Sequence, residues 1–304
     1  GLGTNSSSLF VTMTSPGVIY KNLIIVGSSV SEGNPAAKGN IRAFDANTGD
    51  LKWSFNTIPK IGEDGHETYS DPDAYKRLGG ANAWSGLTLD EERGILYAPT
   101  GSVSYDFYGG DRVGDNLFAN SIIALSAETG NKIWHFQTVH HDVWDRDLPA
   151  PPILFDYSMN DSIIPSLAQV TKSGYIYLLN RITGKPLYKI IERPVPSKSN
   201  LEGEVLSKTQ PIPSFPDPFS RQSLTKNDIN SFVIERERDS LIKIFTSLLK
   251  DDIFSPPSEE GTLIFPGFDG GAEWGGPALD PINNKLFINS NEMPWILTMK
   301  KVSN

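Results

Sequence analysis

The densest run of side chains able to do chemistry is His140-His141-Asp142-Val143-Trp144-Asp145-Arg146-Asp147, followed by Leu148-Pro149-Ala150-Pro151-Pro152. Two imidazoles and three carboxylates within eight residues could ligate a metal or move protons. The spacing is not that of an EF-hand loop, which needs a turn glycine and a glutamate at its twelfth position. It also lacks the helical His spacing of a zinc protease. Taken alone, the run reads better as a solvated acidic loop. Lys172, in Thr171-Lys172-Ser173-Gly174, reads alone as a turn lysine. Glu32, at the end of Gly27-Ser28-Ser29-Val30-Ser31-Glu32, reads as a loop glutamate, and Trp84 as a core residue.

These residues need elements to position them, and the pattern of those elements is repetitive. A Thr-Gly turn recurs at Thr48-Gly49, Thr129-Gly130 and Thr183-Gly184. Each follows a short apolar run: Ile41–Asp45, Ile122–Leu125 and Tyr175–Leu179. An aromatic residue sits four positions after each glycine: Trp53, Trp134 and, in a weakened copy, Tyr188. Strand, glycine turn and strand ending in an aromatic is a hairpin. The glycine supplies positive φ, and the aromatic is placed to plug the seam between successive sheets. Further strands are expected at 23–31, 94–98 and 285–288, with a fourth sheet near 262–298. Hairpins repeating at unequal intervals predict an all-β fold, a β-propeller with loops inserted between its blades.

Residues 190–260 interrupt the repeat. The stretch 192–218 is proline-rich and expected to be irregular. Thr225-Lys226-Asn227-Asp228 has the form of a capping box, and Ile229, Phe232, Val233, Leu241, Phe245 and Leu248 follow at helical spacing. The expectation is an inserted helix covering one face of the ring, its apolar stripe buried as core.

Composition narrows the function. With 27 Lys+Arg against 36 Asp+Glu, the net charge of −9 argues against a nucleic-acid surface. The absence of cysteine excludes disulfides, zinc-thiolate sites and thiol nucleophiles. No apolar run approaches the roughly 20 residues of a membrane span. Residues 1–8 lack the basic and apolar regions of a signal peptide, and the chain does not begin with Met. It reads as an excised or processed piece whose address or anchor lies outside it.

Thr-Gly followed four residues later by Trp resembles the blade signature of the quinoprotein dehydrogenases, which hold pyrroloquinoline quinone (PQQ) at the centre of an eight-bladed propeller. The stretch His140–Asp145 is similar to the active-site strand of the membrane-bound glucose/quinate/shikimate branch, and so is Leu148–Pro151. Phe254-Ser255-Pro256-Pro257-Ser258-Glu259-Glu260-Gly261-Thr262 and Phe265-Pro266-Gly267 extend the likeness. It runs from about residue 20 to the C-terminus. Three marked blades and a fourth sheet are too few for that ring, so the resemblance implies a single partial propeller across 1–304.

The resemblance makes Asp145 the catalytic base and a metal ligand. Lys172, 27 positions later, is its cationic partner, catalytic and cofactor-binding. It implies that Glu32 is an acidic metal ligand, and that Trp84, Ser104, Glu273 and Trp274 line the cofactor, with His140 and His141 supporting Asp145. The implied cofactors are PQQ and Ca²⁺, or Mg²⁺. The implied reaction is oxidation of a sugar, polyol or cyclic alcohol by hydride transfer to PQQ, with electrons passed to ubiquinone. The implied location is periplasmic, with the whole protein anchored to the inner membrane through segments absent from this chain. Two departures stand out. Ser102 occupies the place of an Asn that ligates calcium in the alcohol-oxidising branch, and Gly33 follows Glu32 where the glucose branch has Asn. The competing readings are a non-catalytic scaffold of the same repeats and an inactive fragment that binds no cofactor.

Overall fold

The computed structural model describes residues 9–159 and 161–302; the signal-peptide reading of residues 1–8 lies outside them. Two four-stranded antiparallel meanders come first. One is built from Val18–Tyr20, Leu23–Val26, Ile41–Asp45 and Leu51–Phe55, the other from Thr88–Asp90, Ile95–Pro99, Ser121–Ser126 and Lys132–Gln137. A three-stranded sheet follows: Ile153–Met159, Ser162–Val170 and Ile176–Asn180. The fourth region holds two separate pairs, Thr262–Ile264 with Trp295–Leu297 and Pro277–Asp280 with Lys285–Ile288.

The strand chemistry follows position in the stack. Leu23–Val26 alternates, burying Leu23 and Ile25 while exposing Ile24. Ile95–Pro99 is buried along its whole length, because sheets cover both of its faces. One apolar cluster joins Ile25, Ile41 and Trp53 of the first sheet to Leu96, Ile123 and Leu125 of the second. Another joins Tyr97, Ile122 and Trp134 of the second to Leu167 and Leu179 of the third.

Each seam is closed by one indole. Trp53 faces Ala43 across its own hairpin and lies over the Gly130 turn of the next sheet, donating from Nε1 to the Ala127 carbonyl at 3.2 Å. Trp134 faces Ala124, lies over Gly184 and donates to the Arg181 carbonyl at 3.1 Å. The third copy breaks down: Pro186 makes only an isolated bridge to Leu179, and Tyr188 instead packs on Phe215 and meets the Tyr157 hydroxyl. Proline has no N–H to continue the ladder.

The segment 190–260 departs from expectation in two respects. Within the proline-rich stretch, Ile190–Pro194 pairs with Thr209–Pro213. A two-stranded ribbon leaves each strand an unpaired edge, where prolines need not interrupt a ladder. The Thr225 capping box forms, but it closes only a 3₁₀ turn at Lys226–Asp228; the helix itself spans Glu235–Ser247. The apolar stripe is not core. Phe232 is 95% exposed, Leu241 is exposed, and only Phe245 and Leu248 reach the cluster around Leu263 and Phe265.

The indole seams generate a test. Gly130 has φ +72°, and a Cβ there would stand 2.5 Å from Trp53 Cε3, whereas a Cβ on Gly49 (φ +76°) meets nothing within 4 Å. Gly130→Ala is expected to lose about 2–4 kcal/mol from left-handed strain plus overpacking, and Gly49→Ala only about 1–2 kcal/mol from strain. Urea unfolding of both variants measures this, and equal losses would remove the indole contact as a source of stability.

Candidate active site

In an antiparallel meander the second-to-third connection and the link to the next sheet emerge at one end; the hairpin turns emerge at the other. The turns at Gly49 and Gly130 are hairpin turns joining the third strand to the fourth, and the Gly184 turn follows the third strand of its sheet. The chemical residues therefore lie at the opposite end. Ser31 and Glu32 lie between the second and third strands of the first sheet, Ser102, Ser104 and Asp106 between those of the second, and Lys172 between those of the third. Trp84, Asp145 and Asp147 sit on the links between sheets. All of these, with Asn82, line one cavity of about 180 Å³.

The run 140–147 is not a solvated acidic loop. Asp142, Val143, Trp144 and Arg146 are buried, with hydrogen-bond partners drawn largely from distant segments. Asp142 Oδ2 accepts from Ser102 Oγ (2.6 Å), Asn120 Nδ2 (2.7 Å) and the Arg146 amide (2.6 Å), and Oδ1 from the Trp144 amide (2.9 Å). Side chains then alternate between two directions. Trp144 donates to the Ser255 carbonyl and Arg146 to those of Pro266 and Ile253, while Asp145 and Asp147 face the cavity. Burial pulls the Arg146 guanidinium down to about 10. Asp145 itself holds φ +56°, a strained backbone for a non-glycine residue that its pinned neighbours enforce.

Lys172 rides on a tight turn in which Thr171 Oγ1 bonds both the amide and the carbonyl of Tyr175. Its Nζ is 2.9 Å from each Asp145 oxygen, 3.8 Å from Glu273 Oε1 and 5.9 Å from the centroid of the Trp84 ring. Burial is the largest influence on Asp145; with the Asp147 and Asp142 carboxylates it pushes that carboxyl well above the usual range, against Lys172. Burial opposes charge on Lys172 too, but Asp145, Asp147 and Glu273 outweigh it and raise the ammonium above the ordinary lysine value. Burial first, then the carboxylates of Asp147, Asp145 and Glu32, hold Asp106 well above its ordinary value.

Of the residues singled out in the sequence, Glu32, Trp84, Ser104, Asp145 and Lys172 share the cavity wall. Glu273 reaches it through Lys172. Trp274 does not line it: its indole is 76% exposed and its amide donates to Glu273. Ser104 Oγ donates to the Ser31 carbonyl, tying two of the loops together. Asp147 and Asp106 are the residues that sequence reasoning passed over. Asp147 accepts from the Ser102 amide (2.7 Å) and Trp84 Nε1 (2.7 Å), so it sets the tilt of the indole. Its alternation with Asp145 was the available signal; Asp106 carried none. Among the described residues, no three His or carboxylate side chains converge as a ready-made metal cage.

The 190–260 segment braces this loop. Gln210 pairs with both the amide and the carbonyl of His140, each at 2.8 Å. Glu204, whose side chain is wholly buried, meets His141 Nε2 at 2.7 Å and accepts from the Gly109 amide at 2.6 Å; His141 Nδ1 faces the Gly114 carbonyl. Burial raises Glu204, but His141 and the Gly109 amide outweigh it and hold the carboxyl below its usual range.

Comparison with known proteins agrees with this architecture. Residues 1–304 match the family described as PQQ, glucose/ethanol/alcohol dehydrogenase, β-propeller domain. The chain is 36% identical over 307 residues to the quinate/shikimate dehydrogenase (quinone) of Acinetobacter baylyi, covering 99% of this chain and 37% of that protein. It is 34% identical over 297 residues to quinoprotein glucose dehydrogenase A of Acinetobacter calcoaceticus, covering 93% and 36%. The chain thus spans little more than a third of these relatives. The solved quinohemoprotein alcohol dehydrogenase from Comamonas testosteroni superposes with a TM-score of 0.67 at 22% identity, over 96% of this chain and 39% of that one, a likeness of fold.

The Glu204–His141 pair is testable by its contrast with Glu202, which pairs with Lys301 on the surface. Glu204→Ala leaves a buried imidazole without its partner and is expected to cost about 1–3 kcal/mol; Glu202→Ala should leave the unfolding midpoint unchanged. Because the folded Glu204 carboxyl lies below its unfolded value, its contribution is complete above that value and is lost as the pH falls. The stability gap between wild type and Glu204→Gln should therefore narrow below pH ~4.3. A gap independent of pH would remove the ion pair from the account.

Proposed function

The chain belongs to the PQQ-containing glucose/ethanol/alcohol dehydrogenase β-propeller family, and on that premise we propose that it carries the catalytic part of a PQQ-dependent dehydrogenase. The reaction is oxidation of a sugar, polyol or cyclic alcohol, with electrons passed on to a quinone such as ubiquinone. The observation that carries this reading is the Lys172–Asp145 pair, 2.9 Å apart in the cavity wall beside the Trp84 face. A scaffold without chemistry has no use for a strained, buried carboxylate held there.

The cavity suits both groups that the family uses. Trp84 offers a flat apolar face for a planar ring system, and Lys172 stands over the same face as the one cation among the lining residues. The oxygen donors of Glu32 and Asp145 are the hard ligands that Ca²⁺ or Mg²⁺ takes. When bound, PQQ and its cation supply a polarised quinone that accepts the hydride of the alcohol carbon. Asp145, held in the cavity wall by Lys172, receives the hydroxyl proton. Lys172, kept charged by the carboxylates, donates to oxygen atoms that gain negative charge. Asp147 and Ser104 hold Trp84 and the loops in register.

The rest of the reading rests on the resemblance: an eight-bladed ring of which 1–304 is one part, 190–260 an insertion into it, and a periplasmic protein anchored to the inner membrane. Among the described residues no helix is long and apolar enough to cross a membrane.

The test is a titration of the chain with PQQ and Ca²⁺ followed by tryptophan fluorescence, then turnover of the loaded protein with aldoses, polyols and quinate. Quenching at micromolar PQQ is expected, and its absence overturns the reading. Asp145→Asn should keep the quench and lower kcat about 10²–10⁴-fold; near-normal turnover in that variant removes Asp145 as the base.

A further inference from the structure

Among the described residues the cavity wall leaves one buried carboxyl without a partner. Asp106 is 8% exposed and lines the cavity with Glu32, Asp145 and Asp147. Its neighbours are engaged: Asp147 by Ser102 and Trp84, and Asp145 by Lys172. Among the described residues no hydrogen bond and no ion pair reaches the Asp106 carboxyl. A buried carboxyl without a partner is costly and calls for a ligand. Four carboxyl groups and one ammonium line the space, so acidic oxygen donors outnumber the cation there.

The placement of Asp106 is also constrained. Arg112, 1% exposed, donates from Nη2 to the Tyr105 carbonyl at 2.8 Å and to the Asp142 carbonyl at 2.6 Å. That guanidinium ties the backbone beside Asp106 to the loop that carries Asp145. Ser104 Oγ ties the same segment to Ser31, next to Glu32. The segment that carries Asp106 is thus tied to both loops that bear the residues the functional reading assigns to the cation.

Resting on that reading and extending it, we propose that Asp106 is a further ligand of the divalent cation, since it lines the same cavity as Glu32 and Asp145. Hard oxygen donors suit Ca²⁺, which takes six to eight of them in flexible geometry. A buried acid that destabilises the metal-free fold and strengthens metal binding is the signature of a ligand rather than of a structural residue.

The experiment is calorimetric titration of the full chain with Ca²⁺ in the absence of PQQ, for wild type and Asp106→Asn, with thermal unfolding of both with and without Ca²⁺. Asp106→Asn is expected to weaken Ca²⁺ binding at least about tenfold, since affinity follows ligand charge. Without Ca²⁺ its unfolding midpoint should equal or exceed that of wild type, and the gain on adding Ca²⁺ should shrink. Affinity within about twofold of wild type overturns the proposal alone. So does a metal-free midpoint that falls together with the affinity, which marks a structural role. A wild-type chain that does not respond to Ca²⁺ overturns the cation in the functional reading as well. If Asp106→Asn does not fold, Asp106→Ser takes its place in the same titration.

Discussion

The arrangement of the cavity depends on one buried carboxylate that takes no part in the chemistry. Asp142 gathers two backbone amides, a serine hydroxyl and an asparagine amide on its two oxygens. The amides belong to Trp144 and Arg146, the residues on either side of Asp145. Fixing both flanks leaves Asp145 a single direction, into the cavity, and explains how a non-glycine residue is held at φ +56°. The strain is tolerable because bonds already made over-determine the segment. The serine and asparagine come from the second sheet, so the same carboxylate also registers the link against the blade beside it.

The two ends of the sheets do different work. At one end the hairpin turns receive indoles from the preceding sheet, and the seam is a matter of shape: a glycine without a Cβ under an aromatic face, with an alanine opposite. At the other end the connections vary in length and carry charge. Long connections between second and third strands cost the sheets little, since the ladders lie elsewhere. The indole seams set the spacing between sheets, and that spacing decides whether Lys172 of the third sheet meets Trp84 on the link before the second.

Electrostatics in the cavity is a balance between burial and a shortage of positive charge. Lys172 serves Asp145 directly and Glu273 at longer range. Asp147 is satisfied by neutral donors, and Asp106 by none. Such a site is poised to accept a cation and a flat, electron-poor ligand, and burial holds the Asp106 and Asp145 carboxyls well above their ordinary value. Outside the cavity the same loops are braced by a segment of quite different sequence, through Glu204 on His141 and Gln210 on His140.

Much of the architecture was legible in the residues. The Thr-Gly turns, the aromatic offset at Trp53 and Trp134 and the alternation of Leu23–Val26 are local, and local pattern is enough to write a hairpin. The pairing of Asp145 with Lys172 was legible only through resemblance, because no periodicity connects residues 27 positions apart on different loops. The helix of the 190–260 segment was misread in its start and in its burial, since helical spacing says which residues share a face and nothing about what covers it. What the sequence by itself determined was the unit of construction: short strands, glycine turns and seam-closing indoles. What only the tertiary structure decided was the fate of the charged run 140–147. Composition made it a solvated loop; burial against 253–266, with every polar group of Asp142 answered, made it the wall of a cavity. The difference lies in partners distant in sequence, Ser102, Asn120, Glu204 and Gln210, whose donors and acceptors offset the cost of taking charge out of water.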